Sequence, residues 1–153
     1  MPLNIIGSKN LLPSVQDARD FLDRLKRDLS EIFFPAPKAL PKKSENPAAR
    51  GEAREILSIS ARYWAVRMGV RYGRIAIREQ KTRWGSCSEK GNLNFNWRIV
   101  LAPPEVRDYV VIHELCHLSH LNHSKEFWVR VQEFCPEYKI YRRWLKENGH
   151  TLQ

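Results

Sequence analysis

V-V-I-H-E-L-C-H-L-S-H-L-N-H-S-K-E-F, residues 110–127, sets the terms for the rest of this chain. On a helix, positions i and i+4 share a face, so His113 and His117 can aim two imidazoles at one metal ion. Glu114 follows the first of them, placed to hold and deprotonate a water at that metal. With His120 and His123 the stretch reads H-E-x-x-H-x-x-H-x-x-H, the spacing of a three-histidine zinc site. His120 is the awkward third ligand: a straight helix carries it about 10 Å along the axis from His113, beyond the reach of bonds of about 2 Å. His123, after a turn at Asn122, can swing back and is the favoured third ligand; His120 and Glu126 remain alternatives. Cys116 points away from the histidine face and reads as core. Three protein ligands leave a position open, the arrangement of a catalytic rather than a structural zinc. One Zn2+ suits three imidazoles best, although cobalt, nickel or manganese can occupy such a site.

The flanking sequence reads as a helix. Pro103 and Pro104 stand at its front, Glu105 and Asp108 in its first turn, where the dipole favours acids. Val111, Leu115 and Leu118 face a core while Tyr109, His113 and His117 share another side. Asn122 suits a left-handed helix end. Ser124 can cap a following helix with Phe127, Trp128, Val131 and Phe134 on its apolar face, closed by Pro136, and a last helix is predicted over 137–148.

Upstream, residues 74–79, 82–88 and 93–99 alternate like short strands, with a turn at 89–92 that makes the last two a hairpin. Gly85, inside a strand, signals a bulge or a close backbone approach. A helix over 52–68 carries Ala53, Leu57, Ser60, Trp64 and Met68 on one side, and Gly69 can stop it. Before it, residues 1–13 form an irregular arm. Ser14 and Asp17 open a helix whose stripe of Val15, Ala18, Leu22, Leu25, Leu29 and Ile32 ends near Phe34. The proline-rich stretch 35–50 reads as a connector. The expected division is an N-terminal arm and connector over 1–50 and a metallohydrolase domain over 51–153.

The 153 residues suffice for one buried core, and 42% hydrophobic with 28% charged content is ordinary for a soluble globular chain. Three scattered cysteines are not a disulfide framework, and the start lacks the pattern of a signal peptide, so the cytoplasm is the expected location. No apolar run is long enough to span a bilayer. The net charge of +9 is uneven: +3 over 1–50, +6 over 51–100 and zero over 101–153. A basic face beside a cleft would attract anions such as nucleotides or nucleic acid.

These readings describe a metal-dependent hydrolase in which Glu114 takes a proton from water and passes it to the leaving group. A second electrophile must meet the developing negative charge, and Arg83, Tyr109, Tyr138 and Tyr141 are candidates, Arg83 foremost. Two rivals stand beside a zinc metallopeptidase. One is a nucleotide phosphohydrolase acting on nucleoside triphosphates. The other is a basic nucleic-acid-binding module with a structural metal, which no helix-turn-helix, zinc-finger or aromatic RNA-reading motif supports.

Three blocks carry a family resemblance: K-T-R-W-G-S-C-S at 81–88; N-W-R at 96–98 with A-P-P at 102–104; and H-E-L-C-H at 113–117 with N-H-S-K-E-F-W at 122–128. From about Ala53 to Leu152 the chain resembles the YgjP-like metal-dependent hydrolases, relatives of the SprT-like zincin metallopeptidases. The resemblance implies His113, His117 and His123 as metal ligands and Glu114 as catalytic carboxylate. It implies an α+β, zincin-like fold with a small antiparallel three-stranded sheet packed on the active-site helix. It favours a peptide substrate lying along the sheet edge, and it also admits nucleotide phosphohydrolysis. The first 50 residues depart from the pattern, and the 14–34 helix is expected to pack across or beside the cleft and restrict access to it.

Overall fold

Apolar side chains that recur every three or four residues between a proline and a glycine build the first helix of the described residues, α1 (Pro47–Met68). The structure, a computed structural model, describes residues 47–152. The expected arm, the 14–34 helix and all but the end of the connector lie outside the described residues. Within α1, Ala53, Leu57, Ala61, Ala65 and Met68 are buried. The helix starts five residues earlier than the 52–68 expected from its apolar stripe, so the last residues of the connector are helical. The reason is local: the fixed φ of a proline suits a first helical turn, where its missing N–H has no partner to lose. The far end is the expected stop. Gly69 takes φ +65°. Its N–H donates to the Val66 carbonyl at 3.2 Å and the Val70 N–H donates to that of Ala65 at 3.0 Å. These two bonds make a Schellman cap.

Three strands follow: β1 (Ile75–Arg78), β2 (Gly85–Cys87) and β3 (Leu93–Asn96). They lie in the order β1-β3-β2. β2 and β3 form the expected antiparallel hairpin, with Gly85 opposite Phe95 and Cys87 opposite Leu93. The turn between them closes through the Gly91 N–H to the Ser88 carbonyl at 2.8 Å. The third pair corrects the expectation of an all-antiparallel sheet, because β1 pairs with β3 in parallel, Ile75 opposite Leu93. β1 and β2 run in opposite directions, and β3 inserts between them, so it must run with one neighbour and against the other.

The expected strand over 93–99 stops at Asn96. Its buried side chain accepts the Arg98 N–H at 3.1 Å and turns the chain into a 3-10 helix, Trp97–Leu101. The same amide donates to the Gln80 carbonyl at 2.6 Å and so pins the segment that leads toward β2.

Helix α2 (Pro104–Cys116) opens after Pro103 as expected, and is more thoroughly enclosed than a single apolar stripe suggests. Val106, Val110, Val111, Ile112, Leu115 and Cys116 are all buried, because α1 packs on α2 from one side and β2 from another, with the two C-terminal helices completing the enclosure. It ends at Cys116, not at Asn122. The ladder tightens there, with the Leu118 N–H on the Leu115 carbonyl at 3.1 Å and the Ser119 N–H on that of Cys116 at 3.1 Å.

Ser124 caps α3 (Lys125–Phe134) by accepting the Phe127 N–H at 3.5 Å. The Arg130 guanidinium on α3 donates to the Met68 carbonyl at 2.6 Å, tying α3 to the end of α1. Helix α4 (Tyr138–Asn148) and a final 3-10 turn (Gly149–Leu152) complete the core with Tyr138, Tyr141 and Leu152. Among the described residues no helix is long and apolar enough to cross a membrane.

Candidate metal centre

The break after Cys116 is what brings the histidines together. His113 lies in the last turn of α2, His117 is its C-cap, and His123 sits just before Ser124. Their ligating atoms all lie within 4.8 Å of one another, and among the described residues this is the one group of histidines, cysteines and acids able to hold a metal ion. His123 Nε2 stands 3.0 Å from His113 Nε2. Two ligands of one tetrahedral zinc, each bonded at about 2.0–2.1 Å, stand about 3.3 Å apart, so the donor set fits that ion. His120 and Glu126 are outside the group. The backbone carbonyl of His120 instead accepts from His117 Nδ1 at 2.9 Å. That bond places the proton on Nδ1 and leaves His117 Nε2 as a lone-pair donor.

His113 Nδ1 is buried without a hydrogen-bond partner among the described residues, so packing must orient this ring. Phe127 supplies it. The ring of Phe127 is fully buried, with its centroid 4.9 Å from that of His113, 4.5 Å from His117 and 4.8 Å from His123. Trp128 stacks on His123 at 5.7 Å, Tyr138 stacks on Trp128 at 5.2 Å, and the Arg142 guanidinium lies over Trp128 at 5.0 Å. Phe127 was legible only as part of an apolar helix face. Its place four residues after His123 was the available signal. Arg142 had none, since only the packing of α4 brings it here.

Burial pushes the His113 imidazole down to about 3, helped by the neighbouring His117, His123 and Arg142, and burial lowers His123 as well. Neutral rings are the form that binds a cation. Glu114, only 5% exposed, is pushed up to about 8 by burial, with the Arg83 charge opposing. Its carboxyl lies against Gly85, where a Cβ would stand 2.6 Å from Oε1, so the close backbone approach expected at this glycine is met by Glu114 itself. Cys87, two residues further along β2, rises to about 11 through burial and the charge of Glu114.

Of the four candidate electrophiles, Arg83 is exposed on the segment entering β2 and its charge reaches Glu114. Tyr109 is buried edge-on to His113 at 5.9 Å, with its hydroxyl pushed up to about 12 by burial. Tyr138 is one ring removed, on Trp128, and the Tyr141 hydroxyl donates to Glu137 at 3.0 Å. The site thus pairs three converging imidazoles with a buried carboxyl on α2.

A family model described as a YgjP-like metallopeptidase domain matches residues 12–148. The match begins far upstream of Ala53, which corrects the expectation that the first 50 residues depart from the pattern. Among solved structures, the metallopeptidase zymogen of Pyrococcus abyssi abylysin is similar over 62% of this chain and 93% of its own, at 24% identity and a TM-score of 0.51. This likeness concerns the fold, α+β and zincin-like. The zymogen of Methanocaldococcus jannaschii jannalysin aligns over 57% of this chain and 90% of its own, at 20% identity and a TM-score of 0.45. No curated protein matches the chain.

Proposed function

The chain belongs to the YgjP-like metallopeptidase family, and on that footing we propose that it is a zinc-dependent peptidase whose general base is Glu114. The observation that carries this reading is the convergence of His113, His117 and His123 within 4.8 Å, beside a buried Glu114. These three imidazoles would hold one zinc ion, which when bound supplies Lewis acidity toward the scissile carbonyl and the attacking water. Glu114 accepts a proton from that water as its oxygen adds to the carbonyl carbon. As the C–N bond breaks, Glu114 returns the proton to the departing amine, leaving a carboxylate and a free amine. Arg83, on the segment entering β2, provides positive charge for the oxyanion that develops between these steps.

β2 supports an extended substrate. It is an edge strand that pairs only with β3 in the sheet, and its Gly85 touches Glu114. A peptide adding to that edge would lie beside the carboxyl. The deciding experiment is a panel of peptides and nucleoside triphosphates offered to metal-analysed wild type and Glu114→Gln. Chelator-sensitive peptide cleavage that Glu114→Gln abolishes is the expected result. Phosphate release without peptide cleavage would replace this reading with the phosphohydrolase one. Salt-sensitive nucleic-acid binding untouched by Glu114→Gln, with no cleavage of either substrate, would make the metal structural.

A further inference from the structure

We infer that Gly85 is a positioning residue for the catalytic carboxylate: its lack of a side chain makes the slot that holds Glu114 beside the three histidines. The inference rests on the peptidase reading for its consequence, and on the packing alone for its geometry. A Cβ built on Gly85 would stand 2.6 Å from Glu114 Oε1, 2.7 Å from its Cγ and 2.8 Å from its Cδ. All three separations are under 3.0 Å, which real Cβ atoms essentially never show, and all three are to one side chain. Gly85 is absent from the positive-φ glycines, Gly69 and Gly91, so its backbone conformation does not ask for glycine. Space does.

The obstacle would be the far half of a flexible side chain, not backbone, so the molecule has a way to relieve it: Glu114 turns aside and the fold survives. Glu114 is nearly enclosed, and the strand cannot retreat easily. Gly85 pairs with Phe95, a fully buried residue, and the Trp84 carbonyl next to it accepts the Asn96 N–H at 2.8 Å. Side chains two apart on an extended chain share a face. That face runs Arg83, Gly85, Cys87, and both flanking residues interact electrostatically with Glu114. Gly85 stands between them without a side chain, and the Glu114 side chain fills that space.

The test is Gly85→Ala, made alone and in a Glu114→Ala background. In the first, zinc content and zinc affinity stay at wild-type values. KM for a cleaved peptide stays within about threefold, while kcat falls about 30-fold or more, part of the 10²–10⁴ that a positioned general base contributes. In the second arm, which needs no substrate, Gly85→Ala lowers the urea midpoint of the wild type and leaves that of Glu114→Ala unchanged, because the clashing side chain is gone. Wild-type kcat in Gly85→Ala overturns the inference, as does an equal loss of midpoint in both backgrounds. If the wild-type chain cleaves no peptide, the peptidase reading fails, and the pair of midpoints still decides the packing claim.

Discussion

Glu114 and His113 are neighbours in sequence, and burial pushes them in opposite directions. The Glu114 carboxyl rises from its ordinary 4.5 to about 8, and the His113 imidazole falls from its ordinary 6.5 to about 3. Both therefore favour the uncharged form in the metal-free protein, and their linkage to stability can be signed. Between pH 4.5 and 8 the unfolded Glu114 has given up its proton and the folded one keeps it, so this group costs stability as pH rises. Between 6.5 and 3 the unfolded His113 takes a proton that the folded ring refuses, so this group costs stability as pH falls. The two effects cancel between about 4.5 and 6.5, the ordinary values of these groups. Burial also lowers His123, which adds to the acid-side loss, so for chelated protein we expect a urea midpoint that is highest near pH 6.5 and falls on either side, with the alkaline fall removed in Glu114→Gln. A midpoint that keeps climbing to pH 8 would contradict the burial of Glu114. In the zinc-loaded protein, Glu114→Gln should lower kcat by about 10²–10⁴-fold, the worth of a general base, while metal analysis still finds one ion per chain.

At the scale of elements, the site is assembled where segments stop. α2 ends at Cys116, and the chain then folds back so that α3 can raise Phe127 beneath all three imidazoles. Phe127→Ala is expected to cost about 3–5 kcal/mol, the usual range for emptying a buried aromatic position. It should also weaken zinc binding in a competition titration, with Phe127→Leu intermediate in both. Unchanged zinc affinity would mean that the rings are held from elsewhere. β3 likewise matters through its end. The buried Asn96 amide caps the 3-10 helix and holds the Gln80 carbonyl, fixing the segment that carries Arg83 and Trp84. Asn96→Ala is expected to cost about 1–3 kcal/mol by leaving backbone groups unpaired. It should reduce peptide turnover while zinc binding stays intact, because the histidines lie on other elements. Equal loss of both would assign Asn96 to the fold at large.

For the whole molecule, the buried side chains of α1, the sheet, α2, α3 and α4 form a core among the described residues, and the proposed division at residue 50 predicts that this core suffices. A chain beginning at Pro47 is expected to unfold cooperatively in urea and to bind one zinc ion. Failure to fold would extend the domain into the upstream residues, which the family match also covers. Much of this molecule was legible beforehand. H-E-x-x-H needs only helical periodicity to align two imidazoles and a carboxylate, and Gly69, Pro104 and Ser124 mark helix ends through local dihedral and hydrogen-bond preferences. These are short-range properties, and a chain carries them without knowing its partners. The strand order, the parallel pairing of β1, the early end of α2 and the seat of Glu114 against Gly85 were not legible in that way. Each depends on which segments far apart in sequence become neighbours, and only packing of the complete core selects among those pairings. His123 shows the boundary between the two: its residue type named it as a ligand, but its ring comes within 3.0 Å of His113 only because the chain reverses after Cys116.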